Sequence, residues 1–161
     1  MGSGGGGYRS IGNINSLVEQ AKKELRESEK QGRRNVFISF AYEDIEEVNL
    51  LRGQAKNQKL PIEFNDWSVS APIDSERAAY IKQKISERIS QSSLTIVFLS
   101  ENSPKSRWVN WEIAESLKKG KTVVGVYAGK MPPNSYPKEI VNNKIKCVQW
   151  SKLSDTIADI K

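Results

Sequence analysis

"LTIVFLS" (94–100) decides the architecture. It is apolar throughout except at Thr95 and the closing serine. A central strand of a parallel sheet, covered by helices on both faces, has that composition. Its neighbours in sequence fit the same scheme. Before it, a helix over 75–91 carries Tyr80, Ile81, Ile85 and Ile89 as its apolar stripe. After it, "SRWVNWEIAESLKKG" (106–120) reads as a second helix and "TVVGVYA" (122–128) as another buried strand. Further out lie the strand "NVFISF" (35–40), the helical "DIEEVNLLRGQAKN" (44–57) and the short strand "PIEFN" (61–65). The polar loop "DWSVSAPIDS" (66–75) leads to the first-named helix. A Pro-rich loop with one helical turn spans 129–143, and "IKCVQW" (145–150) with a terminal helix near 152–160 completes the pattern.

Five strands alternating with helices predict a flavodoxin-like three-layer α/β sandwich, a five-stranded parallel sheet of order 2-1-3-4-5. Such sheets bind ligands beyond the carboxyl ends of their strands, where the strand order reverses. The loops to watch are therefore "SFAYED" and "SENSPKSRW", after the first and third strands. Upstream, residues 1–12 read as a flexible Gly-rich leader. Residues 13–32 read as an extra N-terminal helix, with Ile14, Leu17, Val18, Ala21 and Leu25 on one face and Gly32 as its stop. The main domain is expected over 33–161.

Composition removes several function classes. The chain has no histidine, which excludes Ser-His-Asp and Cys-His nucleophilic catalysis and most zinc hydrolases. One cysteine, Cys147, allows no internal disulfide and no Cys/His zinc cluster, so no metal is expected. The net charge of +6 is spread out: residues 1–34 hold seven Lys/Arg against four acids, and the rest eighteen against fifteen. A nucleic-acid binder concentrates its excess on one element, so no nucleic-acid partner is expected. Mean hydropathy is −0.57 and no apolar run approaches the roughly 18 residues of a membrane span. With no apolar signal core at the start, a cytoplasmic location and no membrane partner are expected.

The helix at 106–120 carries the chemistry. Ser103-Pro104 is a start signal and Ser106 a second candidate cap, while Gly120 is the natural stop. Val109, Ile113, Ser116 and Leu117 make the buried stripe. Trp108, Glu112 and Glu115 fall on the adjoining one at i, i+4 and i+7. Glu112 thus flanks the buried face, and Trp108 stands one turn nearer the cleft. Spacing alone leaves two readings open. A glutamate two turns into an amphipathic helix is most often a solvated charge, Glu115 can pair with Lys119 on the surface, and a tryptophan near a helix start is most often core edge.

Three stretches in sequence order resemble TIR domains. "NVFISFAYED" is similar to the first TIR box, "IEFND" to the second strand with its terminal aspartate, and "ISERISQSSLTIVFLSENSPKSRWVNWEIAESLKKGKTVVGVY" to the stretch from the helix before the third strand through the fourth. The Ser-x-Trp-x-x-x-Glu within it is similar to the family's signature around its catalytic glutamate. The combination most resembles the bacterial TIR-like subunit of Thoeris antiphage systems (ThsB type). The resemblance implies cleavage of the nicotinamide–ribose bond of NAD+, giving nicotinamide and ADP-ribose or a cyclic isomer that reaches a separate effector by diffusion. NAD+ would be substrate, with no other cofactor, and self-association or other TIR subunits would be partners. Carried over by position, Glu112 is the catalytic carboxylate and Trp108 packs on the nicotinamide or its ribose. Ser39, Phe40, Ala41 and Tyr42 form the loop over the pocket, Asp66 and Trp67 the opposite wall, and Ser106 belongs to the binding signature. Many TIR domains carry Arg where Ala41 stands, and the glycine common in the self-association loop is missing from 66–75.

Two rivals remain from the same residues. A non-catalytic TIR adaptor would act by assembly through the 66–75 loop and the N-terminal helix. A nucleoside deoxyribosyltransferase-like enzyme would also use a glutamate on a flavodoxin-like sheet. Receiver-domain phosphotransfer needs an Asp ending the first or third strand, where Ser39/Phe40 and Ser100 stand.

Overall fold

The computed structural model describes residues 15–23, 34–65 and 71–160. The chain divides into two units, Met1–Arg33 and Arg34–Lys161. In the first, residues 15–23 are helical, with Lys22 Nζ 3.8 Å from Glu19 one turn back. The leader and the remainder of the expected 13–32 helix lie outside the described residues.

In the second unit the strands are β1 (Arg34–Ser39), β2 (Ile62–Phe64), β3 (Leu94–Phe98), β4 (Thr122–Tyr127) and β5 (Cys147–Gln149). The helices are α1 (Ile45–Asn57), α2 (Ala78–Gln91), α3 (Arg107–Lys118), α4 (Lys138–Asn142) and α5 (Leu153–Asp159). The sheet order is β2-β1-β3-β4-β5, and every neighbouring pair is parallel. This is the expected order 2-1-3-4-5. All five residues of β3 are buried, as a central strand between two helical layers requires.

The strand period of two sorts side chains between the layers. Val36 and Ile38 of β1, Leu94, Ile96 and Phe98 of β3, and Val124 and Val126 of β4 pack with α1 and α5. On the other face, Phe37 joins Ala78, Ile81, Ile85 and Ile89 of α2. Val97, Leu99 and Val123 join Val109 and Ile113 of α3 and Ile140 of α4. Ser39 and Thr95 have the parity of Phe37 and Val97, so both point toward the α2–α3–α4 layer. That parity brings two hydroxyls beneath α3.

Candidate active site

The helix start that matters is built by Ser106. Ser103–Lys105 forms a 3-10 turn with Pro104 inside it, and the helix proper begins after Ser106, whose hydroxyl accepts from Val109 N at 3.2 Å. Gly120 adopts φ +73°, the left-handed conformation that ends the helix, and Lys121 N closes back on Ser116 O at 2.9 Å. Between these ends, Trp108, Val109, Glu112, Ile113 and Ser116 are buried, while Leu117 is only partly so. Glu112 does more than flank the apolar stripe: it is 3 % exposed.

A cavity of about 320 Å³ opens above Glu112. It lies past the carboxyl ends of β1 and β3, where the strand order reverses. Phe40, Tyr42 and Glu43 line it from the first loop, Asn102, Lys105 and Ser106 from the third, and Ala71–Asp74 from the segment before α2. Arg107, Trp108 and Glu112 supply the α3 side. Trp108 is held by its indole N–H, which donates to Ala71 O at 2.6 Å. Trp111 meets it edge-on, centroids 5.9 Å apart, and Lys82 Nζ lies 5.6 Å from the Trp111 ring. At the rim, exposed Arg107 and Asp74 stand 3.5 Å apart, a solvated pair that links α3 to the 71–74 wall without much energy.

The expected site residues divide into three groups. Phe40, Tyr42, Ser106, Trp108 and Glu112 converge on the cavity. Ser39 and Ala41 are fully buried and lie behind its lining, and Ser39 Oγ donates to Glu112 Oε1 at 2.7 Å. Asp66 and Trp67 lie outside the described residues. Glu115 turns to α2, accepting from Ser86 Oγ at 2.7 Å.

One residue escaped the reading of the sequence. Asp44 is buried at the end of the first loop and accepts from Ser100 Oγ and, at 2.8 Å, from Asn102 Nδ2. Ser100 Oγ in turn accepts from the backbone N–H of Asn102 at 3.0 Å and of Ser103 at 3.2 Å. The carboxylate therefore knits the first loop to the third and sets Asn102 in the cavity wall. The acid pair of the first box was its only trace in the sequence. Among the described residues no three His, Cys, Asp or Glu side chains gather as a metal site, and no helix is long and apolar enough to cross a membrane.

A protein from Bacillus cereus (strain MSX-D12) named "Putative cyclic ADP-D-ribose synthase ThsB1" is 26 % identical over 98 residues, 58 % of this chain and 51 % of that protein. This chain thus spans about half the length of that relative. Among solved structures, the Clostridium botulinum CMP N-glycosidase BcmB overlays with a TM-score of 0.48 at 14 % identity, covering 78 % of this chain and 98 % of that one. The TIR domains of the activated Roq1 resistosome, which directly recognises the pathogen effector XopQ, overlay with a TM-score of 0.44 at 19 % identity, covering 76 % and 69 %. The family described as "Thoeris protein ThsB, TIR-like domain" matches residues 37–132, more than half of the chain, from the second half of β1 through β4. This protein therefore belongs to the TIR-like domain family of the Thoeris protein ThsB.

Proposed function

We propose that this domain cleaves the bond between nicotinamide and ribose in NAD+ and transfers the ADP-ribosyl group within the same molecule, or to water. The observation that carries the reading is a buried glutamate, Glu112, opening onto a cavity lined by Phe40, Tyr42 and Trp108. As the C1′–N bond breaks, its electron pair leaves with nicotinamide, which departs neutral and needs no proton. Positive charge then develops on the ribose ring, where a carboxylate stabilises it and holds the ribose hydroxyls. Aromatic faces suit the cationic pyridinium before departure. The nucleophile that captures C1′ gives up one proton, which Glu112 or water accepts. A nucleophile on the same substrate molecule, held close and shielded from water, gives a cyclic product.

The cavity volume of about 320 Å³ is near the lower end for small-molecule sites, so the nicotinamide riboside half sits inside and the adenosine half runs over the rim. Lys105 and Arg107 at that rim suit the pyrophosphate, a role that Ala41 cannot fill. The name of the Bacillus cereus relative supports a cyclic ADP-ribose product. In this reading no cofactor is needed beyond the substrate. The product serves as a diffusible antiphage signal to a separate effector in the cytoplasm, and TIR subunits assemble with one another.

The test is incubation of the purified protein with NAD+, with nicotinamide followed by chromatography and the second product by mass spectrometry. Wild type releases nicotinamide, and Glu112→Gln lowers the rate at least about a hundredfold, the loss typical for a transition-state stabiliser. A Glu112→Gln protein as fast as wild type sinks the reading. A wild type that is silent in its assembled form supports the adaptor instead.

A further inference from the structure

Glu112 is tethered directly by a hydroxyl of β1 and, through Ser116, by a hydroxyl of the adjacent β3. From β1, fully buried Ser39 donates to its Oε1 at 2.7 Å. From β3, Thr95 Oγ1 and Ser116 Oγ lie 2.8 Å apart, both buried. Ser116 Oγ also donates to the backbone carbonyl of Glu112 at 2.8 Å. A serine hydroxyl has a single proton, so Thr95 is the donor in its pair with Ser116. The chain Thr95 → Ser116 → Glu112 C=O therefore fixes the helical turn, while Ser39 fixes the carboxylate. Ser39 is absent from the cavity lining, so it stands behind Glu112 and out of a substrate's reach.

We propose that Ser39 is a positioning residue: its hydroxyl aims the Glu112 carboxylate into the cavity, and the Thr95–Ser116 relay holds the turn that carries it. The proposal rests on the NAD+-cleaving reading. A need to satisfy one buried polar group explains one hydroxyl. It does not explain why hydroxyls of the same strand parity on β1 and β3 both lead to Glu112, the first directly to its carboxylate and the second through Ser116 to its backbone carbonyl. A serine on α3 back-bonding to the preceding turn also adjusts the helix where Glu112 sits.

The titratable groups that share the cavity with Glu112 are Tyr42, Glu43 and Asp74 from the loops, with Lys105 and Arg107 flanking the helix start. Glu115 is one turn further along α3 on Ser86, and Lys82 of α2 lies over Trp111. Replacing Ser39 alters none of these directly. A change in the acid limb of the pH profile therefore reports the Ser39–Glu112 bond.

The experiment compares wild type with Ser39→Ala, Ser39→Cys, Thr95→Val and Glu112→Gln, measuring nicotinamide release, KM for NAD+, the pH profile of kcat and the thermal midpoint. Removing a donor to a carboxylate favours its protonated form, so Ser39→Ala moves the acid limb up by about one pH unit. Its kcat falls roughly tenfold or more while KM stays within about twofold, the pattern of an interaction made for the transition state. Ser39→Cys, of similar shape with a weak donor, falls between the two. Thr95→Val lowers kcat without moving the acid limb, because Thr95 bonds Ser116, which in turn reaches only the Glu112 backbone carbonyl and not the carboxylate. If Ser39→Ala does not fold, Ser39→Cys carries the same readings. A folded Ser39 variant with wild-type kcat and acid limb overturns the proposal, as does a rise in KM alone, which makes Ser39 a substrate contact. A wild type that releases no nicotinamide, or a Glu112→Gln that matches it, removes the NAD+ reading itself and this proposal with it.

Discussion

Trp108 belongs to two structures at once. Its ring closes the α2-side core with Phe37, Ile81, Ile85 and Ile89, and it also lines the cavity. Its indole N–H is committed to Ala71 O, so the 71–74 wall is fastened to α3 through this one side chain. Trp108→Phe keeps most of the apolar area and drops the bond. It is expected to lose about 1 kcal/mol in urea unfolding, the net value of a hydrogen bond, and to raise KM as the wall loosens. Trp108→Ala is expected to lose about 3–5 kcal/mol, the range for truncating a large buried aromatic. Equal losses for the two variants would show that the bond, and not the ring, carries the effect. At this scale the sequence put Glu112 and Trp108 on one helix edge, because i, i+4 spacing is a local property, while their site roles came from the resemblance to TIR domains. It hid what holds them. Ser39 and Glu112 are 73 positions apart, and Asp44 is 56 and 58 positions from Ser100 and Asn102, pairings that only the folded sheet creates.

Among the elements, the central strands were legible and the edges less so. β3 and β4 are flanked on both sides, so a largely apolar run marks each of them. β2 and β5 pair on one side only, and pairing stops at Ile62–Phe64 and Cys147–Gln149, inside the runs 61–65 and 145–150. α2 begins at Ala78 instead of residue 75, because Ser75 and Ala78 close two turns onto Pro72 O and Ser75 O. Tyr80, expected on its buried stripe, is 52 % exposed, and Ala78 takes that place. Three residues before Ile81 is the helical neighbour; one residue before it is not, and a small alanine weighs little in a hydropathy pattern. Gly125 of β4 is an element-scale requirement that composition does not announce. A Cβ there would lie 2.8 Å from both Cys147 Sγ and Leu99 Cδ1, so β4 can sit under this layer only without a side chain. Gly125→Ala is expected to lose about 1–3 kcal/mol in urea unfolding, the usual cost of overpacking. The loss shrinks in a Cys147→Ala background, where one of the two clashing atoms is gone. An unchanged midpoint for Gly125→Ala would mean that the sheet gives way freely here.

For the molecule as a whole, alkaline pH tests how the α3–α4 layer is sealed. Burial pushes the Cys147 thiol up from its ordinary value. The Tyr136 phenol is also raised, first by desolvation and then by the nearby Cys147 and Tyr127. All three side chains border the cluster around Leu99, Ile113 and Ile140. A group whose folded pKa lies above its unfolded one keeps its proton longer in the native state. Above the unfolded value the denatured chain binds fewer protons than the native one, so unfolding stability falls as pH rises. Below that value the contribution is fully present. The unfolded thiol titrates near about pH 8.5 and the unfolded phenol near about 10, so the decline starts with Cys147 and is joined later by Tyr136. Urea midpoints measured from pH 7 to 10.5 are expected to hold level and then drop from about pH 8.5 in wild type. In Cys147→Ala the onset moves toward about pH 10, because only the phenol remains. Coincident onsets in the two proteins would place the alkaline loss elsewhere and leave the thiol as ordinary packing beside Gly125.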